Sequence, residues 1–206
     1  MEVRLSEREE GLTMLKSGKG YTIADIEALP EGERAELING ELFRMDAPMR
    51  QHQEILLELA IEIRTYIRRN RGTCKIYVAP FGVRIKKDKR NYVEPDISVV
   101  YDKDKLDEKG CQGAPDWIIE IVSPSSKTMD YERKVRLYRE ARVREYWIVD
   151  PETEIVTVYD FERTASSETN ERISQELKSV QYAFSERIKV GIFEDLWLNL
   201  LEMDFS

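Results

Sequence analysis

The feature that most constrains the fold of this sequence is a strand–helix–strand succession in its second half. Residues 116–122 (DWIIEIV) and 145–150 (EYWIVD) are short apolar runs typical of strands, and residues 129–141 between them have a helical pattern. Most of the other predicted strands are joined by short turns, as in hairpins. A strand–helix–strand unit inside a mainly hairpin-connected sheet predicts a mixed sheet, and therefore an α/β or α+β domain.

The segments before this unit predict two helices and a hairpin. Thr22 precedes Asp25 in a capping-box-like start, and Pro30 ends this short helix. The Asn39-Gly40 pair lies between two apolar stretches, which is a strong hairpin signal. Residues 50–69 are the clearest helix, because side chains of one stripe recur at spacings of three and four: His52, Ile55, Leu56, Leu59, Ile63, Tyr66 and Ile67.

Further strands follow along the chain. Residues 74–80, 82–87 and 93–101 are strand-like, residues 102–114 form a polar loop, and residues 154–161 are another strand. The segment 180–203 alternates well enough for one or two strands packed on the main body. We expect a flexible arm at 1–19 and a single domain at 20–206, with its core at 20–160 and a C-terminal strand extension at 161–206.

Composition indicates a protein of the cytoplasm. The chain has 206 residues, 41% of them hydrophobic and 35% charged, and no apolar run long enough for a membrane span. Its first residues include several acids and no apolar signal core, so we expect no secretory export. Cys74 and Cys111 are far apart without metal-type spacing, which predicts reduced thiols.

The formal net charge of −8 argues against a general nucleic-acid binder, since attraction to phosphates requires an excess of Lys and Arg. It leaves room for a local basic groove. Two basic clusters, at 64–75 and 84–90, are candidates for such a groove. The plainer interpretation is that they form a solvated helix end and a hairpin tip.

One carboxylate does not fit its strand. In residues 116–122 the side chains alternate between faces, which places Glu120 between Ile118 and Val122 on a face that should be core. A buried carboxylate is costly unless it is neutralised, paired with a base or bound to a metal. A buried salt bridge to a nearby Arg or Lys is therefore the alternative to a functional role.

Asp96 raises the same question one strand earlier. Pro95 before it cannot donate a ladder hydrogen bond, so this point is a strand start, an edge or a bulge, where sheets turn side chains toward sites. Asp96 could equally be a turn acid beside a proline. Taken together, the carboxylates of Asp96 and Glu120 at neighbouring strand ends predict a site for a hard cation such as Mg²⁺.

Three more residues are candidates. Lys134 shares a helix face with Tyr138 and either extends to water or turns toward Glu120, where it could position a water and balance charge on phosphorus. Glu36 begins the hairpin, and taken alone it is expected on the solvent side. His52 lies on the apolar helix stripe, where a core or boundary histidine is the more common outcome than a catalytic one.

At this point the sequence resembles a known family. The ordered segments ELINGEL, APFGVRI, VEPDISVV, WIIEIVSPSS, YERKVRLYREARVREYWIVDP and a final strand are similar to those of the Uma2 family of endonucleases, which belongs to the PD-(D/E)XK nuclease superfamily. The resemblance covers roughly residues 20 to 160. It implies a restriction-endonuclease-like core, a mixed sheet flanked by helices, with a metal at one end.

The resemblance also implies roles for particular residues. Asp96 would be the PD aspartate and Glu120 the acid of the second half-motif, both binding Mg²⁺ with the carbonyl of Ile121 as a further ligand. Glu36 would be an extra acid from the N-terminal part. The sequence departs from the motif at Val122, where the superfamily has a lysine, and Lys134 on the following helix is the replacement candidate.

Two classes of function follow. The first is an endonuclease that hydrolyses DNA phosphodiester bonds with Mg²⁺, or Mn²⁺ as its substitute, and that acts as a homodimer because cutting both strands often pairs subunits. The second is an inactive nuclease-fold module that works through protein or nucleic-acid contacts, which the acidic charge and Val122 favour. A glycosidase carboxylate pair is a third interpretation, without a sugar-stacking platform in its support.

Overall fold

The computed structural model describes residues 20–162 and 178–203. The predicted arm at 1–19 lies outside the described residues, as do parts of the predicted C-terminal extension, at 163–177 and 204–206. The expectations for those stretches therefore stay predictions.

The described residues include three α-helices and thirteen strands with the following bounds. The helices are α1 (Ile23–Glu27), α2 (Arg50–Arg69) and α3 (Val135–Glu140). The strands are β1 (Ala35–Ile38), β2 (Glu41–Arg44), β3 (Lys75–Val78), β4 (Val83–Arg84), β5 (Ile97–Val100), β6 (Leu106–Asp107), β7 (Gly110–Gln112), β8 (Trp117–Ile121), β9 (Glu145–Asp150), β10 (Ile155–Asp160), β11 (Val180–Ala183), β12 (Ile188–Lys189) and β13 (Trp197–Leu198).

The main sheet has six strands in the order β11-β10-β9-β8-β5-β3. Strands β8 and β9 are parallel and are connected through the helical segment that ends in α3, while the other neighbouring pairs are antiparallel. This mixed sheet with few helices confirms the predicted fold class. The parallel pair is where the strand–helix–strand pattern predicted it.

Each face of this sheet has its own apolar core. On one face, Trp117, Ile119 and Ile121 of β8 pack with the buried stripe of α2 and with the C-terminal segment around Phe193. On the other face, Ile118 and Val122 pack with β4, with the β1–β2 hairpin and with α3. The alternation expected for residues 116–122 is therefore confirmed, and Glu120 is on the second face.

Local signals explain several element boundaries. Asn39 and Gly40 have φ angles of +52° and +84°, as a tight hairpin turn with two left-handed residues requires. The carboxylate of Asp25 accepts hydrogen bonds from the Thr22 amide at 2.8 Å and from the Thr22 hydroxyl at 3.0 Å, which fixes the start of α1. The apolar stripe of α2 is buried on the sheet.

Four segments differ from the sequence prediction. Residues 102–114 contain a short hairpin, β6–β7, instead of a plain loop, and β4 extends over two residues only. The C-terminal segment forms three short strands instead of one or two. The helix expected at 129–141 begins with a π-helical turn, Met129–Lys134, before α3 continues it. Isolated π turns are concentrated at functional sites.

Candidate active site

The sheet register brings Asp96 and Glu120 to the same place. Strands β5 and β8 are antiparallel with Ile97 opposite Ile119, so Asp96, just before β5, lies across from Glu120, near the end of β8. The backbone amide of Ile121 donates to Asp96 Oδ2 at 2.7 Å. These acids come from sequence positions 24 residues apart, and pairing of the two strands is what joins them.

Glu120 is buried and has two donors on one oxygen. Its side chain is 5% exposed, and its Oε1 accepts from Lys134 Nζ at 3.0 Å and from the Tyr138 hydroxyl at 2.6 Å. Burial raises the pKa of Glu120 well above its usual range, and the negative charges of Asp130, Asp96 and Glu36 raise it further against the opposing effect of Lys134. The ionised form of Glu120 is therefore stabilised by nearby positive charge, here that of Lys134.

Lys134 does not extend to water. Its side chain is 6% exposed, and its Nζ lies 2.9 Å from Glu36 Oε2, 3.0 Å from Glu120 Oε1 and 3.4 Å from Asp130 Oδ1. Burial alone would lower the pKa of Lys134, but the three carboxylates outweigh it and raise the pKa well above the usual value. Lys134 is therefore held as an ammonium.

Glu36 is buried, and not on the solvent side as expected from its own position in the hairpin. Every residue of β1 is buried, and the exposed fraction of Glu36 is only 4%. The hairpin packs its inner face against the main sheet, so its acid points at the site. Besides Lys134, Glu36 accepts a hydrogen bond from the Glu94 amide at 3.0 Å.

His52 is a neighbour of Asp96. Its Nε2 lies 3.1 Å from Asp96 Oδ2, and the ring is mostly buried at the start of α2. Burial lowers the pKa of His52, but the hydrogen bond and the charge of Asp96 more than offset this, so the pKa rises. The expected boundary histidine is thus in contact with a candidate metal ligand.

Asp130 and Tyr138 belong to the cluster but were not singled out as site residues from sequence. Asp130 lies one helical turn before Lys134 and is 1% exposed. Burial raises its pKa to about 6. An acid three positions from the nearest basic residues on a charged helix looks like an ordinary surface residue, so no pattern marked it. The signal available for Tyr138 was its shared helix face with Lys134.

A cavity of about 520 Å³ opens beside these groups. Its walls come from the residues between β2 and α2, from His52, and from the loop after β8. Ser123, Pro124, Ser125 and Ser126 form that loop, in which the Ser123 and Ser126 side chains bond to each other's backbone amides. Asp96, Glu120 and Lys134 all line the cavity, so a ligand within it can reach each of them.

The donor set can be tested against a divalent cation. The hydrogen bonds and ion pairs of the described residues use Oδ2 of Asp96 and Oε1 of Glu120, which leaves Asp96 Oδ1 and Glu120 Oε2 for a ligand. Around Lys134, three buried carboxylates outnumber one ammonium by two charges when all are ionised. A dication would offset that surplus, so the residues fit one.

The number of protein side chains available to coordinate a cation is small. In residues 20–162 and 178–203, no group of three or more His, Cys, Asp or Glu side chains is arranged to hold a metal ion. A cation here would have two carboxylates and would need backbone carbonyl and water for the rest. Mg²⁺ commonly accepts that composition, because it binds through one or two carboxylates and keeps several waters.

Val122 and Lys134 are the two residues that bear on the lysine position implied by the resemblance. Val122 is 8% exposed and packs in the second apolar core, so a lysine there would have displaced core contacts. Lys134 reaches the same acid from the helix. The relocation predicted from the sequence is thus consistent with the 3.0 Å contact to Glu120.

The remaining sequence expectations concern the cysteines and membranes. Cys74 and Cys111 are free thiols and buried. None of the helices in the described part of the chain is both long and apolar enough to cross a membrane.

Comparisons with known proteins agree with this fold. A family model described as "Uma2: Putative restriction endonuclease" matches residues 23–192. "Uncharacterized protein slr1290" from Synechocystis is 26% identical over 130 residues, which are 62% of this chain and 66% of that protein. This chain thus matches just under two thirds of that relative's length.

One solved structure is similar over nearly the whole chain. It is described as a putative nuclease belonging to DUF820 from Anabaena variabilis, with a TM-score of 0.67 and 21% identity, covering 88% of this chain and 96% of that one. At that identity the likeness shows the fold. Since the family model spans most of the sequence, this chain belongs to the Uma2 family of restriction-endonuclease-like proteins.

Proposed function

We propose that this protein is a Mg²⁺-dependent endonuclease that hydrolyses phosphodiester bonds of DNA. The single observation that carries the proposal is the contact of buried Glu120 with Lys134 at 3.0 Å, beside Asp96 in an open cavity. An acid pair with a neighbouring ammonium is suited to phosphoryl chemistry, in which charge builds up on the phosphate oxygens. The family description supports DNA as the substrate.

Asp96 and Glu120 would hold the ion through their free oxygens, with the carbonyl of Ile121 as a further ligand. Mn²⁺ should substitute, because it accepts the same oxygen ligands. When bound, the ion polarises the phosphate and lowers the pKa of a coordinated water. His52 contributes by holding Asp96 Oδ2, which orients the carboxylate without occupying its other oxygen.

Lys134 would position the attacking water and balance the negative charge that builds up on the phosphate oxygens. The water would lose a proton to solvent as its oxygen bonds to phosphorus, the bond from phosphorus to the leaving sugar oxygen would break, and that oxygen would take up a proton from solvent. Glu36 and Asp130 hold the ammonium at 2.9 and 3.4 Å, so it is in place before substrate arrives.

The experiment is cleavage of supercoiled plasmid and short duplex DNA in Mg²⁺ or Mn²⁺, for the natural protein and Glu120→Gln. We expect at least about a 100-fold lower rate for the variant. Glu62→Gln is the matched control, because it removes the same charge from an exposed carboxylate on α2 that lines neither the site nor any other described cavity. Equal rates for the natural protein and Glu120→Gln would reject the assignment, and so would an equal loss in both variants.

A second function has its own support. The net charge of −8 and the two-carboxylate donor set favour an inactive nuclease-fold module that acts through protein or nucleic-acid contacts. Calorimetry separates the two proposals: heat of Mg²⁺ binding in the millimolar range that disappears in Asp96→Asn favours the nuclease. A folded protein without measurable binding favours the module.

Assembly into a homodimer stays a prediction. Leu57 and Ile61 on α2 and Trp197 of β13 are exposed apolar side chains that a second copy could cover. Size-exclusion chromatography with light scattering gives the mass directly. A mass of 24.2 kDa, that of one chain, would contradict the dimer.

A further inference from the structure

The basic cluster at 84–90, which the candidate active site does not use, borders a second cavity. This cavity has a volume of about 900 Å³ and lies between α1, the segment after β4, the β6–β7 hairpin and the end of α3. The exposed residues Lys87, Lys89 and Arg142 line it, together with Lys105, which precedes β6, and Lys109 in the turn of the hairpin. We name it the basic cavity.

Charge in the basic cavity is opposite to that of the whole protein. Its lining has seven Lys and Arg side chains against three Asp and Glu side chains, an excess of four positive charges, whereas the chain has a net charge of −8. A concave, locally positive surface on an acidic protein concentrates anions there, because its walls focus the field. The cavity is therefore suited to an anionic ligand.

Ion pairs leave part of this charge unused. Glu27 pairs with both Arg84 at 2.8 Å and Lys109 at 3.1 Å, and Glu140 pairs with Lys86 at 2.7 Å.

Three basic side chains that line the cavity have no ion-pair partner among the described residues. No hydrogen bond or ion pair among residues 20–162 and 178–203 involves the side chains of Lys87, Lys89 or Arg142, which are all exposed. These charges are available to a ligand at little structural cost.

The basic cavity and the candidate active site are on the same face of the sheet. Lys134 lines the active-site cavity, and Arg142, just past α3, lines the basic cavity. Lys134 and Arg142 are eight positions apart, which at a helical rise of about 1.5 Å per residue is about 12 Å along the helix axis. Each strand of duplex DNA has one phosphate for about every 3.4 Å of helix axis, so this distance corresponds to three to four phosphates.

We propose that the basic cavity binds backbone phosphates of the same DNA strand whose scissile bond lies at Asp96 and Glu120. This inference rests on the proposed function and adds to it the surface by which an acidic protein attracts an acidic substrate. Several separated cations around a cavity of about 900 Å³ match a row of phosphates better than a single small anion.

The test measures DNA binding without cleavage. A fluorescein-labelled 20-base-pair duplex is titrated in EDTA with the full chain and with the triple variant Lys87→Gln, Lys89→Gln and Arg142→Gln, at several salt concentrations. Loss of three phosphate contacts should weaken binding at least tenfold near 100 mM salt and reduce the slope of log K against log salt by about 2.7.

The matched control removes three exposed charges from the opposite face of the sheet. Arg64→Gln, Arg68→Gln and Arg69→Gln lie on α2 and change the net charge by the same amount. We expect this variant to retain most of the affinity and the salt slope. Equal weakening in both triple variants would overturn the inference, because general charge would then explain binding.

The two proposals fail in different ways. If Glu120→Gln abolishes cleavage while the basic-cavity variant binds and cleaves like the natural protein, the basic cavity is wrong and the nuclease stands. If the basic-cavity variant loses DNA binding while Glu120→Gln cleaves normally, the basic cavity is supported and the catalytic assignment is wrong.

Discussion

Replacing Lys134 with methionine keeps a long buried side chain and removes its charge. The ammonium lies within 3.4 Å of three carboxylates, each of them nearly inaccessible to water. Without it, Glu36, Glu120 and Asp130 have no basic side chain within ion-pair distance among the described residues. Like charges then face each other in a poorly solvated space.

Removing one partner of a buried ion pair typically costs about 3–5 kcal/mol, because the remaining charge is left uncompensated. For a protein of this size that corresponds to a drop in Tm of roughly 6–20 °C. The double variant Lys134→Met, Glu36→Gln removes one of the opposing carboxylates. It should recover about 1–2 kcal/mol, because residues in one buried network do not act additively.

The assay is urea unfolding followed by the fluorescence of the buried Trp117 and Trp147. Lys86→Met is the matched control, because Lys86 pairs with Glu140, whose side chain is 63% exposed. Such surface pairs contribute about 0–1 kcal/mol. If Lys134→Met is no less stable than Lys86→Met, or if the second substitution gives no recovery, the buried charge cluster does not have the energetics described.

Three further outcomes are expected. Tyr138→Phe should lower the unfolding free energy by about 1.5–3 kcal/mol in urea, because it deletes the 2.6 Å hydrogen bond to buried Glu120. Gly110→Ala should lose more than about 1 kcal/mol and far more than Gly32→Ala, since both have positive φ but a Cβ at Gly110 would lie 2.0 Å from a backbone oxygen. Burial raises the pKa of Cys111 to about 11, so alkylation by iodoacetamide should be slow at pH 8 and accelerate as pH approaches that value.

Each of these outcomes can fail. Unchanged stability in Tyr138→Phe would mean that the hydroxyl finds equal hydrogen bonding in water. Equal losses in Gly110→Ala and Gly32→Ala would assign the effect to φ alone. Rapid labelling of Cys111 at pH 8 in the folded protein, as fast as in guanidinium, would contradict its burial.

The sequence predicted those parts of the fold that local chemistry determines. The stripe of α2, the left-handed pair Asn39-Gly40 and the alternation around Glu120 each have a period or a turn geometry that few other structures satisfy. The lengths of the strands were harder to predict from the sequence. Strand β4 is only two residues long because its neighbours β7 and Val93 pair over short stretches, a tertiary property that residues 82–87 do not encode locally.

From local pattern alone, the site was easiest to predict where burial conflicted with polarity. Glu120 stood out because it interrupts an apolar strand, whereas Glu36 and Asp130 belong to segments rich in charge and look like surface acids. Their burial results from the packing of the β1–β2 hairpin and the π-helical turn on the same face of the sheet. That arrangement depends on long-range contacts, and a single sequence gives no local sign of it.

Anomalous diffraction from a crystal of the full chain soaked in Mn²⁺ is the decisive test of the proposed metal site at Asp96 and Glu120. We expect one strong anomalous peak in the cavity, within coordinating distance of Asp96 Oδ1 and Glu120 Oε2, and no such peak in Glu120→Gln. Data without a peak at these carboxylates, or with one that persists unchanged in the variant, would contradict the proposed site.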